Sequence, residues 1–164
     1  MKVTAQINDE ALFKMFKMQE ANARNAAPVM KSIKQDMDTR REIGARLQQD
    51  PEGKPWKPLS PVTLNKRRTR KISPTSSTRI LEDIGILRAS FASKSDHNSA
   101  QIGTNVKYAP TQQFGAKKGQ YGRTKNGRPI PWGDIPARPM IGITAKQRAG
   151  YLRRINNWIL KGEK

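Results

Sequence analysis

At 164 residues, with no cysteine and a formal charge of +19, this sequence suits one domain with a modest core; it excludes disulfides, thiolate metal centres and thiol nucleophiles. Hydrophobic residues make up 35% and aromatics 6%, so much of the surface is cationic and self-repelling until a polyanion or an acidic partner screens it. No apolar run approaches the ~20 residues that cross a bilayer, and Met1–Gln6 lacks the apolar stretch of a signal peptide; a soluble, non-secreted chain without membrane contact is expected.

In chain order, Lys2 to Ile7 alternates polar and apolar side chains and predicts an edge strand. Asn8 or Asp9 then caps a first helix on which Leu12, Met15, Phe16, Gln19 and Ala23 share a face. Pro28 suits the first turn of a second helix, where Met30, Ile33, Met37, Gly44 and Leu47 recur at three- and four-residue steps. Such a stripe reads either as core packing or as an adaptable surface for a neighbouring subunit, because methionine fits irregular partners. Asp50 to Pro55 ends that helix, and Trp56 follows as a lid over the helix pair, with ligand stacking the less economical reading. Ser60-Pro61 starts a short helix carrying Lys66, Arg67, Arg68, Arg70 and Lys71, followed by a Ser/Thr/Pro-rich loop over Ser73–Thr78. That cationic run fits phosphate contacts, a solvated loop that orders in an assembly, or docking to an acidic protein patch.

The stretch from Ile80 to Gly115 is a scaffold. Asp83 caps one helical turn that puts Ile84 and Leu87 on the same side. Phe91–Lys94 and Ala100–Gly103 are β-prone segments across the polar turn Ser95–Ser99, a hairpin pattern. Beyond Gly115 lies a basic finger with Lys117, Lys118, Arg123, Lys125 and Arg128, turning at Asn126-Gly127 and returning to Ile130-Pro131-Trp132. Tyr121 within it is a single stacking face, too few for a single-strand platform. Pro136-Ala137-Arg138-Pro139 leads into a last, edge strand, Met140–Ile143; Arg138 is expected to find a carboxylate or carbonyl, most simply a structural one. Thr144 and Gln147 form a capping box for a final helix with Tyr151, Ile155, Trp158 and Ile159 on one stripe, Trp158 anchoring it back on the sheet, and Gly162 ending it.

Catalysis has no parts to work with. His97 is the lone histidine and sits in a polar turn, and no paired-carboxylate, H-E-x-x-H, P-loop or nucleophile-elbow pattern occurs. No catalytic residue, metal ligand or cofactor is therefore assigned.

The run L-x-D-x-G-x-L-R-x-S (Leu81 to Ser90), then G-T-N-x-x-Y-A-x-x-x-Q-F-G (Gly103 to Gly115), resembles the bacteriophage virion morphogenesis, or tail completion, family of Mu-like and P2-like phages. Gly53–Ser60 and Ile135–Pro139 fit as flanking pieces, so the resemblance spans Gly53 to Gly142. Ile84 stands where a small residue is expected, and Gln112 where relatives carry histidine. The resemblance implies structural roles for Trp56, Asp83, Gly85, Leu87, Arg88, Gly103, Tyr108, Phe114, Gly115, Arg138 and Pro139. It also implies a non-catalytic protein of the head–tail junction or head-proximal tail end.

The expected architecture is α+β: an N-terminal helix pair and a C-terminal helix packed on a small antiparallel sheet with long basic loops. One virion-assembly domain, 1–164, would divide into 1–50 (strand and helices), 51–79 (basic linker and short helix), 80–143 (sheet, with finger 116–129) and 144–162 (last helix). The expected role is a tail terminator or neck component, a homo-oligomeric ring (six-fold by analogy with tail tubes) touching tail-tube and neck/connector proteins. The basic loops would dock to adjacent rings or face the packaged DNA passing through. The alternative is a basic nucleic-acid-binding domain, supported by two cationic loops but lacking any recognisable reading motif.

Overall fold

A computed structural model of the chain describes residues 9–69 and 78–162. The expected strand over Lys2–Ile7, the cations Arg70 and Lys71 and most of the Ser73–Thr78 loop lie outside the described residues. Those described form an α+β protein of six helices and one two-stranded antiparallel sheet, in two compact units. One unit comprises the described residues of Met1–Gln35, Lys94–Gln101 and Ala145–Lys164, the other those of Asp36–Ser93 and Ile102–Thr144.

Helix α1, Glu10–Arg24, begins after Asp9, whose carbonyl accepts the Phe13 N–H at 2.8 Å although its carboxylate makes no capping bond. Asn25 interrupts the helix and accepts the Ala27 N–H through its side chain, which launches α2, Ala27–Leu47. Val29 and Ile33 are the buried residues of α2; Val29 sits one position off the periodic stripe read from the sequence. Within the first unit α1 packs against the last helix, α6, Ala145–Lys161. On α6 Tyr151 is buried, with Ile155, Trp158 and Ile159 half-buried on the same stripe.

The indole N–H of Trp158 is shared between the Asn22 and Asn25 carbonyls (3.0 and 3.2 Å), and the Asn22 amide donates back to the Trp158 carbonyl at 3.0 Å. The anchor expected on the sheet therefore ties α6 to the end of α1. The reason is that α1 stops at Asn25 with carbonyls lacking helical partners, and an indole N–H satisfies them. Gly162, with φ +71°, donates its N–H to the Trp158 carbonyl and ends α6 as expected.

In the second unit α2 ends at a left-handed Gln48 (φ 56°). The Asp50 carboxylate then accepts the Glu52 and Lys54 N–H groups (2.9 and 2.8 Å), shaping the tight turn before Trp56. Helix α3, Pro61–Thr69, starts where Ser60-Pro61 predicted; the Ser60 hydroxyl meets the Thr63 N–H and hydroxyl at 3.3 and 2.9 Å. The one-turn helix α4 spans Ile86–Ala89, later than expected. Gly85 at φ +82° stands at its cap, so Asp83 is not the N-cap, and the positive φ breaks helical continuity between Ile84 and Leu87. Leu87 is buried while Ile84 is exposed, so the two do not share a packed side.

The hairpin is present, as β1, Phe91–Ser95, and β2, Ala100–Thr104. Its turn is held by Asp96, which accepts the Asn98 and Ser99 N–H groups and the Ser99 hydroxyl at 2.7–2.9 Å. These donors, the Asn98 N–H foremost, hold the Asp96 carboxyl below its usual value. Helix α5, Ala109–Phe114, follows. Met140–Ile143, expected as a last strand, pairs with no strand. The side-chain amide of Gln113 takes the partner's place: its oxygen accepts the Met140 N–H at 2.8 Å and its nitrogen donates to the Ile141 carbonyl at 2.7 Å. With those two main-chain groups satisfied by a side chain, a neighbouring strand is not required there.

Candidate functional site

In the second unit the sequence pieces that carry the resemblance are bonded to one another. Trp56 is buried and its indole N–H donates to the Pro139 carbonyl at 2.9 Å. Arg138, 6% exposed, returns the tie by donating to the Lys57 and Pro58 carbonyls (2.9 and 3.0 Å), and its own N–H donates to the Gln112 carbonyl at 2.7 Å. Burial, and to a lesser extent the charge of Arg67, pulls the Arg138 guanidinium below the usual arginine value. Ser90 at the end of α4 and Thr104 at the end of β2 share a 2.6 Å hydroxyl contact. Arg88 of α4 pairs with Glu42 and with Glu82, the latter at 3.1 Å. The Arg88 bond, foremost, holds the Glu42 carboxyl below its usual range, and Arg88 is raised in turn.

Gly115 shows why one motif position admits no side chain. It ends α5 at φ +76°, ψ 178°, and a Cβ there would lie 2.7 Å from the Ile135 carbonyl oxygen and 2.8 Å from the Ala137 nitrogen. Gly103 has open space around it. Tyr108 caps α5 half-exposed, while Phe114, at 78% exposure, projects into solvent. Trp56, Leu87, Arg138 and Gln113 thus hold the unit together, and Phe114 and Tyr108 are its outward faces.

The cations divide in the same way. Arg67 turns inward: its side chain is 11% exposed, donates to the Arg79 carbonyl at 2.7 Å and lies 3.6 Å from the Asp83 carboxylate. Lys66, one residue earlier, and Arg68 are exposed. The finger folds back on itself as expected. Ala116 and Ile135 exchange two backbone bonds at its base (2.9 and 2.8 Å), Tyr121 and Gly122 pair with Ile130, and Thr124 closes the tip with Arg128 and Gly127. Lys117 lies 3.9 Å from Asp134, which also accepts the Lys118 N–H. Arg123 donates to the Gly127 carbonyl at 2.9 Å, and Lys125 stands exposed at the turn.

Trp132, at 63% exposure, is a residue the sequence reading left without a role. Lys66 Nζ stands 5.4 Å and the Arg128 guanidinium carbon 5.6 Å from its ring centroid, so the two cationic segments meet on it. The signal available in the sequence was an indole between Pro131 and Gly133, where no periodic stripe exists to bury it.

In the first unit, α1 has no buried residue. Leu12, Phe13, Met15, Phe16 and Met18 are all exposed, Phe13 at 62%. Among the described residues no three of His, Cys, Asp and Glu come together as a metal site, and no helix is long and apolar enough to cross a membrane.

The polar motif residues Trp56, Arg138 and Gln113 are spent on internal ties, while apolar and cationic side chains stay outward. The family model described as the phage virion morphogenesis family matches residues 7–159, and the chain belongs to that family. It is also 37% identical over 78 residues to the Mu-like prophage FluMu G protein 2 of Haemophilus influenzae. That match covers 48% of this chain and 50% of the relative, so the chain spans about half the length of the curated relative it matches. No solved structure matches. Family membership and this relative together support a role in phage virion morphogenesis.

Proposed function

We propose that this protein is a tail completion, terminator or neck component that forms a closed homo-oligomeric ring at the head–tail junction and promotes joining of heads to tails, without catalysing a reaction. The observation that carries the reading is α1, a fifteen-residue helix with a run of large apolar side chains and none of them buried. Covering such half-exposed side chains is worth about 1 kcal/mol each, a recurrent driving force if identical neighbours supply the cover. A head-to-tail contact whose rotation closes then gives a ring, six-fold if it matches a tail tube. The family membership supports the setting, and the outward cations supply a surface for tail-tube or connector proteins. Assembly would take place in the cytoplasm of the host bacterium.

Size-exclusion chromatography with light scattering, at low and high salt and with or without duplex DNA, tests the proposal. A closed oligomer independent of DNA, converted to a folded monomer by Phe16→Glu, is expected. A monomer at every concentration and salt, associating only on DNA, would overturn it in favour of a basic nucleic-acid-binding domain. Replacing Lys117–Arg128 by a short Gly-Ser linker is expected to preserve the fold, because the Ala116–Ile135 pair remains, and to impair joining of tails to heads in a complementation assay. Loss of folding in that variant would show the finger to be part of the core.

A further inference from the structure

The two cationic segments are about sixty residues apart in sequence, and nothing in their spacing brings them together. In the second unit they converge on one ring: Lys66 from α3 and Arg128 from the returning limb of the finger both stand within 6 Å of the Trp132 centroid. All three side chains are exposed. What holds these two cations differs from what holds the ion-paired arginines. Arg24 is paired with Glu20, Arg40 with Asp36, Arg79 with Glu82, Arg88 with Glu42 and Glu82, and Arg67 with Asp83. Neither Lys66 nor Arg128 has a carboxylate partner among the described residues, and the finger from 116 to 129 contains no Asp or Glu at all. An aromatic face positions a cation without neutralising it. The indole therefore brings two full positive charges together with their fields open to solvent.

We infer that Lys66, Arg128 and Trp132 form one composite site for the phosphate backbone of double-stranded DNA, bound without sequence preference. The chemistry favours phosphates over an acidic protein patch for two reasons. Arg128 offers a planar fork suited to phosphate oxygens and Lys66 a point charge, the two donor types that bind phosphates. The site also carries two cations at its centre, whereas the centre of a protein–protein contact is depleted of charged residues. Duplex is favoured over single strand because a single indole is no platform on which successive bases could stack. Nothing in the inference requires a ring, so it stands or falls separately from the assembly proposal.

The test uses the full chain and a 24-base-pair duplex of arbitrary sequence, titrated by fluorescence anisotropy from 50 to 300 mM salt. A parallel titration uses poly-glutamate of matched charge, and a third a single strand of the same length. Lys66→Gln/Arg128→Gln is expected to weaken duplex binding about tenfold or more at moderate salt and to lower the slope of log K against log salt by roughly 2, close to 0.9 per lost phosphate contact. Trp132→Ala should weaken binding by releasing the two cations, and Trp132→Phe should restore most of it. Circular dichroism of each variant should match the parent, since all three side chains are exposed. As a control on total charge, Lys125→Gln at the finger tip should change the affinity much less than Arg128→Gln. An unchanged slope in the double variant, an equal effect of Lys125→Gln, or tighter binding of poly-glutamate or single strand than of duplex would each overturn the assignment. Loss of the oligomer with duplex binding intact would overturn the ring alone.

Discussion

The glycines of the family motif make a graded prediction because their surroundings differ while the substitution, Gly→Ala, stays the same. At Gly115 the added methyl meets backbone on two sides, at 2.7 Å from the Ile135 oxygen and 2.8 Å from the Ala137 nitrogen, in a conformation (φ +76°, ψ 178°) that L-residues avoid. The backbone conformation alone costs about 1–3 kcal/mol. Relieving the clash requires moving the 135–137 segment, which strains the Ala116–Ile135 pair and the Arg138-to-Gln112 bond at 2.7 Å; losing one or two such bonds adds about 1–2 kcal/mol. Gly115→Ala is therefore expected to lose about 2–5 kcal/mol, which for a chain of this size lowers Tm by roughly 4–20 °C. Gly85→Ala meets nothing within 4 Å at φ +82°, so only the left-handed penalty of about 1–2 kcal/mol remains. Gly103→Ala, with neither clash nor positive φ, should lie within about 0.5 kcal/mol of the parent or slightly above it. Urea denaturation followed by circular dichroism measures all three. Equal effects at 115 and 85, or a neutral Gly115→Ala, would refute the backbone approach on which the calculation rests.

Other side chains give further expectations. Arg138→Lys keeps the charge but loses the fork that spans the Lys57 and Pro58 carbonyls, and should destabilise by about 2 kcal/mol in the same denaturation assay. Trp158→Phe should cost about 1 kcal/mol by leaving the Asn22 and Asn25 carbonyls without the indole donor; Trp158→Ala should cost more and loosen α6 from α1, read as faster hydrogen exchange over 145–161. Glu42 is held below its usual carboxylate value, so its contribution is present above the unfolded-state value and fades as pH falls through the lowered one. Glu42→Gln should accordingly be slightly less stable than the parent at neutral pH, with the gap closing on acidification; because Glu42 and Arg88 are both substantially exposed, the neutral-pH gap should stay under about 1 kcal/mol. A gap that widens in acid would refute the pairing.

Most of the local structure was legible because it rests on local rules. The Asp96 turn and the Ser60-Pro61 start follow from side chains bonding to backbone within three residues, and the Gly162 stop from a glycine that takes φ +71° and bonds the carbonyl four residues back. Apart from the left-handed Gly85, which sets the start of α4 locally, the misses involve distant partners. Gln113 replaces a strand for Met140 and Ile141 from 27 and 28 positions away, and no alternation pattern can reveal that. Asp83 looked like a cap because Asp often is one, but Arg67 sixteen residues earlier takes its carboxylate. Adjacent cations on α3 have opposite fates, Arg67 inward and Lys66 outward, because a short helix offers both directions and composition reports only their sum. The same limit hid Trp132, whose partners come from segments that read as separate basic runs.

The reciprocal bonds between Ala116 and Ile135 also make the finger a convenient handle. A hairpin closed at its root confines changes of length to its free end, and doubling a loop costs only about 0.6 kcal/mol in closure entropy. A short epitope inserted between Asn126 and Gly127 should therefore be carried without disturbing the rest of the unit. Antibody labelling of such a tagged subunit in purified particles would show directly, in negative-stain images, where on the particle it sits.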